Sequence, residues 1–253
     1  MTVPQFSAKH DSVAVVSPDD EVAPDPGQPT VALLCYQTSL FEAVVDRRPV
    51  EDVSPAWSLY DCHRLVDHPE VAVVGDFGIG APTAAVVMEH LAALGTEAFL
   101  SVGYAGSLTR DVAMTDVVVP DAAIRDEGTS HHYLAPAETV APTPALHRAT
   151  VAAARDSDRA VHEGPTWTTD APYRETVPEV ERYAADGVVT VEMEAAATFA
   201  VARYRGLEAA AAFVVSDYLS PDDHDPRFEE TQPHLLELFD VGVAAATGYL
   251  ATA

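Results

Sequence analysis

The sequence predicts an α/β fold: a single three-layer domain with a central, largely parallel or mixed sheet flanked by helices. Three observations predict it. The apolar runs Val31–Cys35, Val71–Val74, Ala98–Val102 and Ala209–Val215 have the length of strands buried on both faces. Segments with helical apolar spacing lie between them, ending with residues 232–250, where Leu235, Leu238, Phe239, Val243 and Ala246 share one face. Strand and helix alternate along 253 residues, with no internal repeat or linker and enough chain for one large core.

Residues 1–30 read as an N-terminal arm, because the proline-rich turns around Pro18 and Pro24–Pro29 continue neither helix nor ladder. Residues 31–253 form the predicted domain. Its first strand, Val31–Cys35, leads into a helix over Ser39–Asp46, and a short strand is placed near Trp57–Tyr60. Strand Val71–Val74 ends in Gly75-Asp76-Phe77-Gly78-Ile79-Gly80-Ala81-Pro82, where Pro82 suits the first turn of a helix that Gly95 closes. Val86, Val87, His90, Leu91 and Leu94 are expected on that helix's apolar face. After Ala98–Val102 a Gly-x-x-Gly turn is expected at Gly103–Gly106, then a strand over Asp116–Ile124 and a polar loop over Arg125–Tyr133. A helix over 144–154, a strand over 160–169 and a short helix over 178–185 follow. Val188–Val191 then opens a strand-to-alanine-helix junction.

Composition excludes whole classes of function. Fourteen basic residues against forty acidic ones give a formal charge of -26, which would repel nucleic acid and anionic membrane alike. Lys9 is the only lysine, and the acidity is spread over an ordinary apolar pattern, as expected of a protein working in high salt. No apolar run reaches the length of a membrane helix, and the first ten residues lack a signal-peptide core. Cys35 and Cys62 form no metal or redox spacing and fit a reducing cytoplasm.

The candidate chemistry gathers at strand ends. Glu192 and Glu194 flank Met193 at a strand-to-helix junction, where two carboxylates either face one cavity or complement a helix dipole as solvated first-turn residues. Asp217 ends an apolar strand, which suits a general acid, while Ser216-Asp217 suits a cap equally well. The Gly75–Gly80 segment lacks the third glycine and the downstream acid of a dinucleotide fingerprint. Asp222-Asp223-His224-Asp225 reads as an acidic surface loop, and no metal site is expected.

Five segments in order, Gly78–Thr83, Val102–Gly106, Ile124–Tyr133, Val191–Ala195 and Val214–Asp217, resemble the nucleoside phosphorylase superfamily of purine nucleoside and uridine phosphorylases and related nucleosidases. The resemblance implies cleavage of a ribonucleoside's N-glycosidic bond through an oxocarbenium-like transition state, in a homo-oligomer of dimers, trimers or hexamers. It needs no cofactor, with inorganic phosphate as co-substrate of a phosphorylase. It implies that Glu194 grips the ribose hydroxyls, that Met193 and Glu192 line the same pocket, and that Asp217 is the acid facing the leaving base. It places Tyr104, Ala105 and Gly106 under the base and Arg174 beside it. Purine and pyrimidine both remain open.

The phosphate-binding positions depart from the family pattern. Tyr36-Gln37-Thr38-Ser39-Leu40 replaces a Gly-Asp-Pro-x-Arg turn, Ser101 replaces an arginine, and Tyr104 replaces a threonine. Arg47, Arg48, Arg110 and Arg125 are the candidate replacements for the missing cations. The alternatives to phosphorolysis are a hydrolytic nucleosidase and a nucleoside-binding protein without catalysis.

Overall fold

The computed structural model describes residues 3–4, 6, 8–55, 59–220, 223–224 and 228–252. The strands are β1 (Val31–Cys35), β2 (Val50–Asp52), β3 (Asp61–Leu65), β4 (His68–Gly75), β5 (Ala98–Ser107) and β6 (Val117–Asp126). They continue with β7 (Thr139–Val140), β8 (Val161–Thr169), β9 (Thr190–Glu192), β10 (Glu208–Ser220) and β11 (Asp223–His224). The helices are α1 (Pro18–Glu21), α2 (Thr38–Arg47), α3 (Ala81–Leu94) and α4 (Ser130–Tyr133), then α5 (Pro144–Arg155), α6 (Val177–Ala185), α7 (Ala195–Arg205) and α8 (Phe228–Leu250).

The sheet is mixed, in the order β11-β10-β6-β8-β9-β5-β1-β4-β3-β2. The expected parallel core is present, since β1 pairs in parallel with β4 and β5, and β5 with β10. A second feature is added to it. Because β10 also pairs with β6, β6 with β8, β8 with β9 and β9 with β5, these strands close into a ring. The chain is thus part open sheet and part barrel, and the closed part has no free edge.

The alternation within β1 explains its unbroken apolar sequence. Val31, Leu33 and Cys35 pack with Leu40, Val44, Leu238 and Phe239 of α2 and α8, whereas Ala32, Leu34 and Tyr36 pack with Met88, Leu91 and Phe199 of α3 and α7. Both faces are covered, so both parities must be apolar. On α3 the buried residues are Ala81, Ala84, Ala85, Val87, Met88, Leu91 and Ala93, while Val86, expected inward, is 45% exposed.

Several boundaries move. Residues 103–106 are not a turn; they continue β5, paired with residues 213–217 of β10. Arg125 lies in β6 and residues 130–133 form α4, so the expected loop over 125–133 is largely regular. The last helix starts at Phe228 and carries Pro233 inside it. Of the strand expected near Trp57–Tyr60, residues 57 and 58 lie outside the described residues, Leu59 and Tyr60 are not in a strand, and β3 begins just after them. Of the expected acidic loop 222–225, Asp223 and His224 form β11, paired antiparallel with β10, and residues 222 and 225 lie outside the described residues. The segment before β1 is tied down: Asp25 N–H donates to Leu94 O, and His10 Nε2 lies 2.9 Å from His131 O. Among the described residues no helix is long and apolar enough to cross a membrane, and no cluster of potential ligands could hold a metal ion.

Candidate active site

A cavity of about 530 Å³ lies where β5, β9 and β10 meet. Tyr104, Ala105 and Gly106 come from β5, and Glu192 and Met193 from the end of β9. Ser216 and Asp217 come from β10, with Tyr173 and Glu175 on the β8–α6 connection and Phe228 at the start of α8. A smaller hollow of about 360 Å³ adjoins it at Gln37, Ser39, Tyr104 and Phe228, and two more, of about 460 and 860 Å³, flank α8 near α5 and contain none of the candidate site residues.

A β-bulge aims Asp217. Val215 pairs with Ala105 and Asp217 with Gly106, so Ser216 is an extra residue in β10. Ser216 Oγ donates to Asp217 Oδ1 at 2.7 Å. A Cβ at Gly106 would lie 3.2 Å from Asp217 Oδ2 and 3.3 Å from Val191 Cγ1. A larger residue there would press on the carboxyl and the valine, each of which would have to shift by a few tenths of an ångström.

The two glutamates of the β9–α7 junction have different hydrogen-bond partners. Glu192 Oε1 accepts from Thr168 Oγ1 at 2.5 Å, and its Oε2 accepts from the N–H groups of Glu194 and Ala195, each at 2.7 Å. Thr168 Oγ1 in turn accepts from Ala196 N–H at 3.0 Å. The first amides of α7 are therefore capped from β8 and β9, and Glu192 is the capping carboxylate at its positive end. Glu194 Oε1 accepts from Gly80 N–H at 2.6 Å, at the start of α3, where Gly80 has φ +102°.

Both carboxyls are buried, at 6% and 5% exposure. They serve helix termini, as the dipole reading anticipated, but they are not solvated. Burial raises both pKa values above the ordinary carboxylate range, and the charge of Glu192 raises Glu194 further. Three hydrogen bonds make Glu192 the better holder of that charge. Glu194 has the backbone of Gly80 and Met193 to oppose its burial. Met193, between them, reaches the cavity, whereas Glu194 is not on its wall.

The residues at the departing phosphate positions bond to one another. Tyr36 OH lies 2.8 Å from Ser101 Oγ, both buried. Leu40 is a core residue, and Tyr104 packs against Phe228 at 5.5 Å between ring centroids. None of the four candidate arginines lines the cavity. Arg47 is exposed at the end of α2, Arg48 pairs with Asp240, and Arg110 lies over Tyr218. Arg125 is buried and donates to Ser130 Oγ, Leu134 O and Ala135 O, holding the 127–135 segment.

Arg174 is exposed, and its neighbours Pro172, Tyr173 and Glu175 line the cavity instead. Glu175 carries no local motif signal. Its one clue in sequence is the Thr176–Glu179 capping-box spacing, which fixes the chain directly after it. Among the described residues, the charged ones on the cavity wall are thus Glu175, Glu192 and Asp217, all acids.

The phosphorylase superfamily model matches residues 49–239. The guanosine phosphorylase of Halorubrum lacusprofundi is 38% identical over 142 residues, which are 56% of this chain and 59% of that protein. The uridine phosphorylase of Salmonella typhimurium is 28% identical over 186 residues, covering 67% of this chain and 73% of that one. The chain thus spans about three-fifths of the first relative and about three-quarters of the second. The crystal structure of AMP nucleosidase from Bacteroides thetaiotaomicron superimposes with a TM-score of 0.71 over 87% of each chain, at 22% identity, and so shares the fold.

Proposed function

From the premise that this chain belongs to the phosphorylase superfamily, we propose that it cleaves the N-glycosidic bond of a purine ribonucleoside, releasing base and ribose 1-phosphate. The observation that carries the proposal is the bulge that sets the Asp217 carboxyl over Gly106, in the same cavity as Met193. A base lying on that floor meets an acid able to protonate or hydrogen-bond it as it leaves. Met193 offers the sugar a soft face that does not compete for its hydroxyls. Glu194 grips the ribose hydroxyls and stabilises developing positive charge once its carboxyl turns from Gly80. The guanosine phosphorylase relative supports both a purine and phosphorolysis. The proposal includes a homo-oligomer, after the family's habit.

One observation favours a second reading, hydrolysis. The described cavity wall carries acids and no lysine or arginine, and the Tyr36–Ser101 pair stands where a phosphate cation is expected. Phosphate entering such a wall meets repulsion that water does not.

Incubation in molar KCl with guanosine, inosine, adenosine and uridine, with and without phosphate, separates the readings. Phosphate-dependent release with ribose 1-phosphate formed is the expected result. Release with free ribose, indifferent to phosphate, replaces phosphorolysis by hydrolysis. Saturable binding with no base released overturns both.

A further inference from the structure

We propose that Thr115 and Asp116, at the entry to β6, are positioning residues for Asp217: they clamp Val215, and the clamp sets the bulge that turns the Asp217 carboxyl into the cavity. This rests on reading Asp217 as the acid that meets the leaving base, and adds to it the residues that aim the acid.

Residues 113–116 form a tight turn, in which Asp116 N–H donates to Ala113 O at 3.1 Å. Thr115, the third residue of the turn, has φ +71°. That region favours glycine, and a β-branched residue held there is strained. From the turn, Thr115 N–H donates to Val215 O and Val215 N–H donates to Asp116 O, both at 3.0 Å. Two residues of one strand thus oppose one of the other, the first of them left-handed. This is the G1 form of the β-bulge, with threonine in the glycine position.

Strain of this kind persists only where its surroundings hold it, and it gathers at functional sites. Here the hold is visible. Asp116 Oδ2 accepts from Ala113 N–H at 2.9 Å and lies 2.8 Å from Nε2 of His162 in β8. Val112 and Met114, beside and within the turn, pack with Val215.

Val215 is also where β10 changes register on its other side. Up to that residue β10 runs in step with β5, through Val214–Tyr104 and Val215–Ala105. Without the bulge, Ser216 would stand opposite Gly106 and Asp217 opposite Ser107. A slip of one residue exchanges the two faces, so the Asp217 carboxyl would point away from the cavity. Bulges between parallel strands are rare, so this one needs a cause. Among the described residues the backbone bonds between β6 and β10 end at Val215, and Ser216 is the first residue of β10 beyond them. The extra residue falls there. Neither Thr115 nor Asp116 lines the cavity, so their route to Asp217 runs through Val215.

The test is a double-mutant cycle on guanosine cleavage. Asp116→Ala removes the acceptor that closes the turn, and kcat should fall by about 10- to 100-fold with KM held within about twofold. Asp116→Asn keeps an acceptor oxygen and should recover most of that loss. In an Asp217→Asn background Asp116→Ala should have no further effect, because the group it misaims is already gone. Thr115→Pro removes the N–H and fixes φ at about -65°, so it should lose turnover as Asp116→Ala does. Thr115→Gly takes the left-handed conformation without strain and should lose far less turnover while melting higher. Wild-type kcat in Asp116→Ala, or an equal fall in both backgrounds, overturns the proposal.

If the wild type releases no base, or Asp217→Asn keeps full turnover, the acid reading fails and hydrogen exchange at the Val215 amide decides the clamp. Exchange at Val215 that quickens in Asp116→Ala more than exchange in β1 upholds the clamp on the bulge. Unchanged exchange, or an equal rise in both places, overturns it.

Discussion

Glu194 accepts a hydrogen bond from the backbone N–H of Gly80 at 2.6 Å, so the carboxyl that follows β9 closes the start of α3, 114 residues earlier in the chain. Two of the segments that carry the family resemblance are thereby in contact. Glu194→Ala should leave a buried N–H without an acceptor and cost about 1–3 kcal/mol in urea unfolding. Glu194→Gln retains an acceptor oxygen and should unfold near the wild-type midpoint, yet lose turnover by at least about 100-fold. Wild-type rates in Glu194→Gln would remove it from the ribose site.

Glu192 should behave as a positioning residue. Glu192→Ala strips the cap from α7 and one partner from Thr168, a loss of about 2 kcal/mol or more. Thr168→Val removes the other half of the cap and should cost about 1 kcal/mol. Because Met193 follows Glu192, both variants should lower kcat with a smaller change in KM. A pure KM effect with unchanged stability would instead make Glu192 a direct sugar contact.

Asp217→Asn should reduce purine turnover by about 100-fold or more while the fold is kept. Uridine cleavage, where present, should fall less. Equal losses for purine and pyrimidine would contradict its role towards the leaving base.

Arg125 should prove structural. Its three acceptors, Ser130 Oγ, Leu134 O and Ala135 O, are all lost in Arg125→Met, at a cost of about 2–3 kcal/mol. The KM for phosphate should not move. A rise in that KM of about tenfold or more, without destabilisation, would return Arg125 to the phosphate site.

Stability should fall as pH rises through neutrality. Glu194, Glu192 and Glu175 are raised by burial, so near pH 7 the folded state binds more protons than the unfolded one and the slope is negative. Asp19, Asp52, Glu179 and Glu237 are lowered; their contributions are present above the ordinary carboxylate range and are lost only in acid. His132, lowered chiefly by burial, acts in the opposite direction near its ordinary pKa. Thermal melts from pH 5.5 to 8.5 should therefore decline in the wild type, by about 2–4 °C for each kcal/mol lost. Glu194→Gln should decline less, and parallel curves would sink the assignment to Glu194.

Much of the scaffold was legible in the chain itself. Runs such as Val31–Cys35 and Ala209–Val215 identify doubly covered strands, because a strand buried on both faces has no polar parity. Pro82 and Gly95 mark the ends of α3 through backbone preferences that act locally. The Glu192-Met193-Glu194 junction and the strand-end Asp217 were visible for the same reason: each belongs to one short stretch.

What tertiary structure alone decided was the direction and partner of each group. Gly103 and Gly106 looked like a turn, but each permits close approach within a strand, of Gln37 and Tyr36 in one case and of Asp217 and Val191 in the other. Arg125 looked like a loop cation and is a buried brace. Glu175, next to the arginine that the motif favoured, takes the cavity because the Thr176–Glu179 cap and the turn before it set which side chain faces inward. Composition and period report how much of a residue is buried. The partners that close a ring of strands, and the bulge that aims Asp217, depend on contacts across many residues, and no local pattern encodes those.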